Sequence, residues 1–115
     1  MKDYLLFFRG ALDFRTASPE QLQGATQKWQ VWLDKLAKEG KLASRGSRLT
    51  AAGSVIKGEK KQVFEGPYVE GKEIVGGYIS VRAENLREAV EIGKECPIFD
   101  YGGSTEVREV AATSP

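Results

Sequence analysis

The chain of 115 residues contains no histidine, and that absence removes a large share of familiar enzyme chemistry. Without imidazole there is no Ser-His-Asp or Cys-His catalysis, no imidazole metal ligand, and no side chain that ordinarily serves as a base near neutral pH. Cysteine occurs once, at Cys96. No intramolecular disulfide can form, which suits a reducing compartment. The immediate neighbours of Cys96 are Glu95 and Pro97, neither of them basic, so it reads as a buried, inert thiol and not a nucleophile. A metal would have to be held by carboxylates and that one thiol. None of these is spaced as a ligand set, so neither metal nor cofactor is expected.

Long apolar runs are missing too. Tyr4 to Phe8 is the longest near the start, and Arg9 ends it. A signal peptide needs a longer stretch and a membrane-spanning helix about 20 residues. No membrane association is expected, and the chain reads as cytoplasmic. Charge of one sign is absent as well. Seventeen basic and 16 acidic residues leave a net charge of +1, too little to gather nucleic acid or an anionic surface over distance. Arg45, Arg48, Lys57, Lys60 and Lys61 form a local basic cluster, diluted by Glu59 and without interleaved aromatics. That is a solvated surface and not a strand-binding platform.

What is present is an ordinary globular composition, 41% hydrophobic and 29% charged. A chain of this size buries roughly two-thirds of its unfolded surface, enough for a core without metal or disulfide staples. One domain is expected over residues 1–110, with 111–115 a frayed tail.

Asp3 to Arg9 predicts a first strand. It is apolar without alternation, the mark of a strand covered on both faces. Ser18-Pro19-x-Gln21 then makes a capping box with proline at the first helical position. Leu22, Ala25, Trp29, Trp32, Leu33 and Leu36 recur at spacings of three and four as one apolar helix face, with Trp29 and Trp32 assigned to core or interface. Gly40 is the C-terminal stop. A strand over Lys41–Thr50, bent or bulged at Gly46, follows. A hairpin comes next, Ser54–Lys57 and Gln62–Glu65, turning at Gly58-Glu59-Lys60. After it come a loop from Gly66 to Glu73 and a strand over Ile74–Arg82. A second helix starts near Asn85 with a possible Asn85/Glu88 box and buries Leu86, Ala89, Val90 and Gly93. It ends before Pro97, and the last strand is Ser104–Val110.

The order β-α-β, hairpin, β-α-β predicts an α+β, ferredoxin-like antiparallel sheet with both helices on one face. The other face would leave an apolar first strand bare. A second copy packed face to face covers it, so a homodimer of the dimeric α+β-barrel kind is expected.

Three stretches carry a family resemblance. They are Tyr4-Leu5-Leu6-Phe7-Phe8-Arg9-Gly10; Phe64-Glu65-Gly66-Pro67-Tyr68-Val69-Glu70-Gly71-Lys72-Glu73 with Val75-Gly76-Gly77-Tyr78; and Asn85 to Ala89 through Cys96-Pro97 to Gly103-Ser104-Thr105-Glu106-Val107-Arg108. Together they resemble the YCII-related family in its DGPF-motif branch. The resemblance implies a dimeric α+β barrel and little about function, because most of that family is uncharacterised. Some relatives are encoded beside alternative sigma factors, and the wider superfamily includes muconolactone isomerase-like enzymes, dehalogenases and cofactor-free monooxygenases. Glu65 stands where the signature has Asp, and Tyr68 where it has Phe. The histidine proposed as catalytic in some relatives has no counterpart.

The candidate residues each have two readings. Gly66 to Lys72 matches the front of a phosphate-binding loop. However, Glu73 replaces the Ser or Thr, Pro67 removes an amide, and a strand follows instead of a helix, so the match is rejected. Glu65, held by the Gly-Pro turn, is a candidate base or simply a capper of its own loop. Glu106 and Arg108 share one face of the last strand, as Tyr78, Ser80 and Arg82 share one face of theirs. These could line a cleft in which Arg108 binds a carboxylate and Glu106 moves a proton, or they could form ion pairs at a dimer seam. Gly76-Gly77 marks a close backbone approach, by a partner subunit or by a ligand. The expected function is a homodimeric module that binds a small acidic metabolite or a protein partner. The alternative is a small cofactor-independent enzyme of isomerase, lyase or oxygenase type acting on an acidic organic metabolite. There, Glu65 or Glu106 would serve as base, and Arg108, Tyr78 and Arg82 would hold the substrate.

Overall fold

A computed structural model of the chain describes residues 1–10, 16–67 and 74–111. Six strands and two helices follow in the order β1 (Lys2–Arg9), α1 (Pro19–Lys38), β2 (Leu42–Arg48), β3 (Ser54–Lys57), β4 (Gln62–Glu65), β5 (Val75–Ala83), α2 (Leu86–Lys94) and β6 (Ser104–Glu109). A 3-10 segment, Pro97–Tyr101, joins α2 to β6. Four strands form one sheet in the order β2-β5-β1-β6, and β3 and β4 pair apart from it as a hairpin. Every pairing is antiparallel. The chain is of the α+β class.

Helix α1 begins where its capping box predicts. The Ser18 hydroxyl accepts from the Gln21 amide at 3.1 Å, and the Gln21 side chain accepts from the Ser18 amide at 2.9 Å. Two otherwise orphaned donors are thereby satisfied. At the other end Gly40 takes φ +72° just past the last turn, a backbone state that glycine adopts without penalty.

The central strands alternate cleanly. Tyr4, Leu6 and Phe8 of β1 and Ile79, Val81 and Ala83 of β5 are buried against Trp32 and Leu36 of α1 and Ala89 and Ile92 of α2. Each fully buried aliphatic side chain, such as Leu6, Leu36 or Ile98, contributes roughly 1.5–3 kcal/mol. The intervening residues of β1, Leu5 and Phe7, lie half-buried on the opposite face.

Helix α2 departs from expectation in its rotation. Leu86 and Val90, assigned to its buried side, are exposed at 53% and 36%. The stripe that meets the sheet is Ala89, Ile92 and Gly93. A Cβ on Gly93 would stand 3.6–3.7 Å from Thr105, Leu6 and Val107, ordinary van der Waals contact, so this side of the helix packs closely on the strands while Leu86 and Val90 turn outward. The helix start at Asn85 agrees with the sequence, its side chain accepting from the Glu88 amide at 2.9 Å.

The bulge expected at Gly46 is present. The β2–β5 register shifts between Ser44 and Ser47, and Gly46 has φ +57°. The hairpin turns over Gly58–Lys61, closed by the Lys61 amide donating to the Gly58 carbonyl at 3.0 Å. The Gly66–Glu73 loop lies mostly outside the described residues, as does nearly all of the tail. Among the described residues no helix is long and apolar enough to cross a membrane.

Candidate functional site

The sheet register brings four of the five candidate side chains onto one sheet and one face of it. Phe7 stands opposite Tyr78 on one side and Glu106 on the other, and Leu5 stands opposite Ser80 and Arg108. Arg82 follows on the same face of β5, opposite Asp3. This is the face that carries no helix. Glu106 is the centre of its charge cluster: Arg9 Nη1 donates to Glu106 Oε1 at 2.6 Å, and Arg108 Nη1 lies 3.7 Å from Oε2. The Arg9–Glu106 distance is that of a charge-assisted hydrogen bond, and the longer Arg108 contact is a loose ion pair. Arg108 remains 68% exposed, in water and not in a concave site. Arg82 Nη1 donates to the Leu42 carbonyl at 3.3 Å, which ties it to the neighbouring strand β2.

Glu65 is placed apart from these. It ends β4, opposite Ser54, on the two-stranded hairpin and not on the four-stranded sheet. Of its signature, Phe64 to Pro67 and Val75 to Tyr78 fall within the described residues, and Gly66 there takes φ +81° with its amide on the Gly53 carbonyl at 2.7 Å.

Cys96 is buried at the start of the 3-10 segment, where its sulfur accepts from the Ile98 amide at 3.4 Å. Burial pushes its thiol up to about 12. It is protonated at neutral pH, and a thiol is not the nucleophile that a thiolate is. Among the described residues no three acidic or cysteine side chains converge as a metal site.

The concave space lies on the other side of the sheet, and among the candidate residues Tyr78 is one of those that line it. A cavity of about 300 Å³ opens between α1, the β2 bulge and β5. Phe8, Ile79 and Ile98 line it from the core, Ala25, Trp29 and Leu33 from α1, and Arg45, Gly46 and Arg48 from β2. Thr26, Gln30 and Tyr101 add polar groups. Among the described residues that line it there is no carboxylate, amine or thiol.

Glycines lie along its sheet side. Gly77 occupies the same face of β5 as Ile79, Val81 and Ala83, the face that meets the helices. The close approach that the Gly-Gly pair implies is made inside the chain, since a Cβ on Gly77 would meet the Ser47 carbonyl oxygen at 3.1 Å. Trp29 is half-buried and packs edge-on against Phe8, with ring centroids 4.8 Å apart and planes at 70°. Trp32 is core, 5% exposed. At the cavity's polar side Arg45 Nη2 donates to Asp34 Oδ1 of α1 at 2.5 Å.

Sequence reasoning had set Arg45 and Arg48 aside as part of a solvated cluster and Trp29 as core or interface. The signal available for the cavity was a glycine at a helix-facing position of a strand, beneath a helix bearing two tryptophans.

A comparison with curated proteins gives no match. The family model of the YCII-related domain matches residues 9–114, nearly the whole chain; it spans the loop and helix stretches that carry the resemblance but only the end of the opening strand. The chain belongs to the YCII-related domain family.

Proposed function

We propose that the protein is a homodimeric module that binds a small molecule in the cavity beneath α1. The observation that carries this reading is the cavity itself: half-open, lined mostly by apolar side chains, edged by a few polar groups, and without a carboxylate among its described lining. Ligand sites are concave, mostly apolar and oriented by a small number of polar groups. Proton-transfer chemistry needs a base within hydrogen-bond reach of the substrate. Here Glu65, Glu106 and Arg108 lie elsewhere, which favours binding over an isomerase, lyase or oxygenase activity.

The dimer is the second part of the proposal. The order β2-β5-β1-β6 with every pair antiparallel supports a ferredoxin-like sheet. Its helix-free face carries Leu5, Phe7 and Tyr78 at the centre and the Arg9–Glu106–Arg108 cluster toward β6. An apolar centre with a charged rim is the composition of an interface. A second copy packed on this face makes a dimeric α+β barrel and turns the ion pairs into seam contacts.

The test is a thermal-shift screen against small carboxylates, lactones and phosphorylated metabolites, with Ala25→Leu as the variant that fills the cavity. A ligand at 100 times its dissociation constant adds about 2.7 kcal/mol of stability. A shift in the native chain that is lost in a folded Ala25→Leu protein supports the reading. A shift that persists there removes the cavity from it.

A further inference from the structure

We propose that the ligand of this cavity is a small aromatic carboxylate, its ring lodged against Trp29 and the Gly77 backbone and its carboxylate on Arg45. The inference rests on the small-molecule reading above and names the chemistry that reading leaves open.

The ring is argued from shape. Phe8, Trp29 and Trp32 already meet edge to face, with centroids 4.8, 6.2 and 5.6 Å apart. Trp29 is the member that lines the cavity and is only partly buried, so it retains surface for one more aromatic contact of the same kind. Across from α1 the cavity is bounded at Gly46 and Gly77, where β2 and β5 pack backbone against backbone, a wall without projecting side chains against which a flat group can lie. A volume of about 300 Å³ stands at the lower end of ligand sites. It admits one or two rings.

The carboxylate is argued from charge. Arg45 lies beside the bulge glycine and lines the cavity. A guanidinium matches a carboxylate with two parallel hydrogen bonds. Arg45 already accepts a carboxylate partner at this place, Asp34 at 2.5 Å. That pair is 51% and 68% exposed, and an exposed pair exchanges partners at little cost. A ligand carboxylate would therefore displace Asp34 and keep the guanidinium paired.

The test titrates the full chain with 3-phenylpropanoate and with its neutral counterpart 3-phenylpropanamide. Binding is followed by tryptophan fluorescence and by the NMR signals of the Trp29 indole N–H and the Gly77 amide. The acid is expected to bind about tenfold more tightly than the amide, the difference one charge-assisted hydrogen bond makes. Arg45→Gln should reduce that preference to within about threefold while leaving the affinity for the amide unchanged, and Asp34→Asn should tighten the acid a few-fold by removing its competitor. Both substitutions are at exposed positions, so the fold is retained. Equal binding of acid and amide, with both NMR signals shifting, overturns the anionic ligand and leaves the cavity reading in place. Silence of both signals with either probe at millimolar concentration overturns the inference and that reading together. Acid-induced shifts confined to the helix-free face, around Arg82 and Arg108, do the same.

Discussion

A Cβ atom placed on Gly46 would stand 1.8 Å from the carbonyl oxygen of Tyr78. The two residues face each other across the β2–β5 pairing where its register shifts, and the contact is backbone against backbone, so no side-chain rotation relieves it. The same glycine sits at the edge of the cavity. The bulge that opens the cavity therefore depends on the residue that permits the bulge.

Gly46→Ala is expected to destabilise the fold by about 2–4 kcal/mol, combining a steric clash with a positive φ. Gly24→Ala is its control. Gly24 lies inside α1 with nothing within 4 Å of the added carbon, so alanine should stabilise by about 0.5–1 kcal/mol. Urea denaturation of the two variants should move the midpoint in opposite directions.

Phe7→Glu should convert the proposed dimer to monomer. Phe7 lies between Tyr78 and Glu106 on the helix-free face, and a new carboxylate there would be buried beside Glu106 in the seam. Light scattering on a sizing column should give twice 12.7 kDa for the native chain and one protomer mass for the variant. A native chain that is monomeric at micromolar concentration would end the dimer proposal. Arg108→Ala, by contrast, should leave any ligand-induced thermal shift unchanged, because Arg108 is on the face away from the cavity.

Alkaline pH should weaken the fold through Cys96. Its folded pKa is raised from 9.0 to about 12, so the native state keeps a proton that the unfolded state has lost. Stability is complete below pH 9 and falls as pH rises towards 12, by at most about 1.4 kcal/mol per unit. Tyr4 is raised too, by its burial and then by Glu109, and acts in the same direction above pH 10. Denaturation of native and Cys96→Ala proteins between about pH 8.5 and 10 isolates the cysteine, and the variant should show the shallower slope. Iodoacetamide at mildly alkaline pH should label Cys96 only after unfolding.

Ser18→Ala removes the oxygen that satisfies the Gln21 amide and should cost about 1 kcal/mol. Ser18→Asp should retain most of that stability, since aspartate accepts the same bond. Thermal denaturation followed by circular dichroism measures both. An alanine variant as stable as the native chain would mean that α1 is held by its packing alone.

The local elements of this fold were legible in the chain because their determinants are local. The capping box at Ser18 and Gln21, the stop at Gly40, the turn at Gly58 and the start at Asn85 each depend on residues a few positions apart. Alternation along Ile79, Val81 and Ala83 likewise fixes which side of β5 meets a helix. The rotation of α2 was not legible, because Leu86 and Val90 are as apolar as Ile92. Only the strands beneath decide which side of nine residues they will accommodate. The cavity is of the same kind. Gly46, Gly77, Trp29 and Arg45 are scattered over 49 positions and come together only when the sheet registers β2 against β5 under α1. The sequence by itself determined where helices and strands begin and end and which chemistry histidine's absence rules out. Tertiary structure alone decided that Glu65 stands apart from Arg108 and that the concave space lies on the helix side of the sheet, since both depend on pairings between residues far apart in the chain.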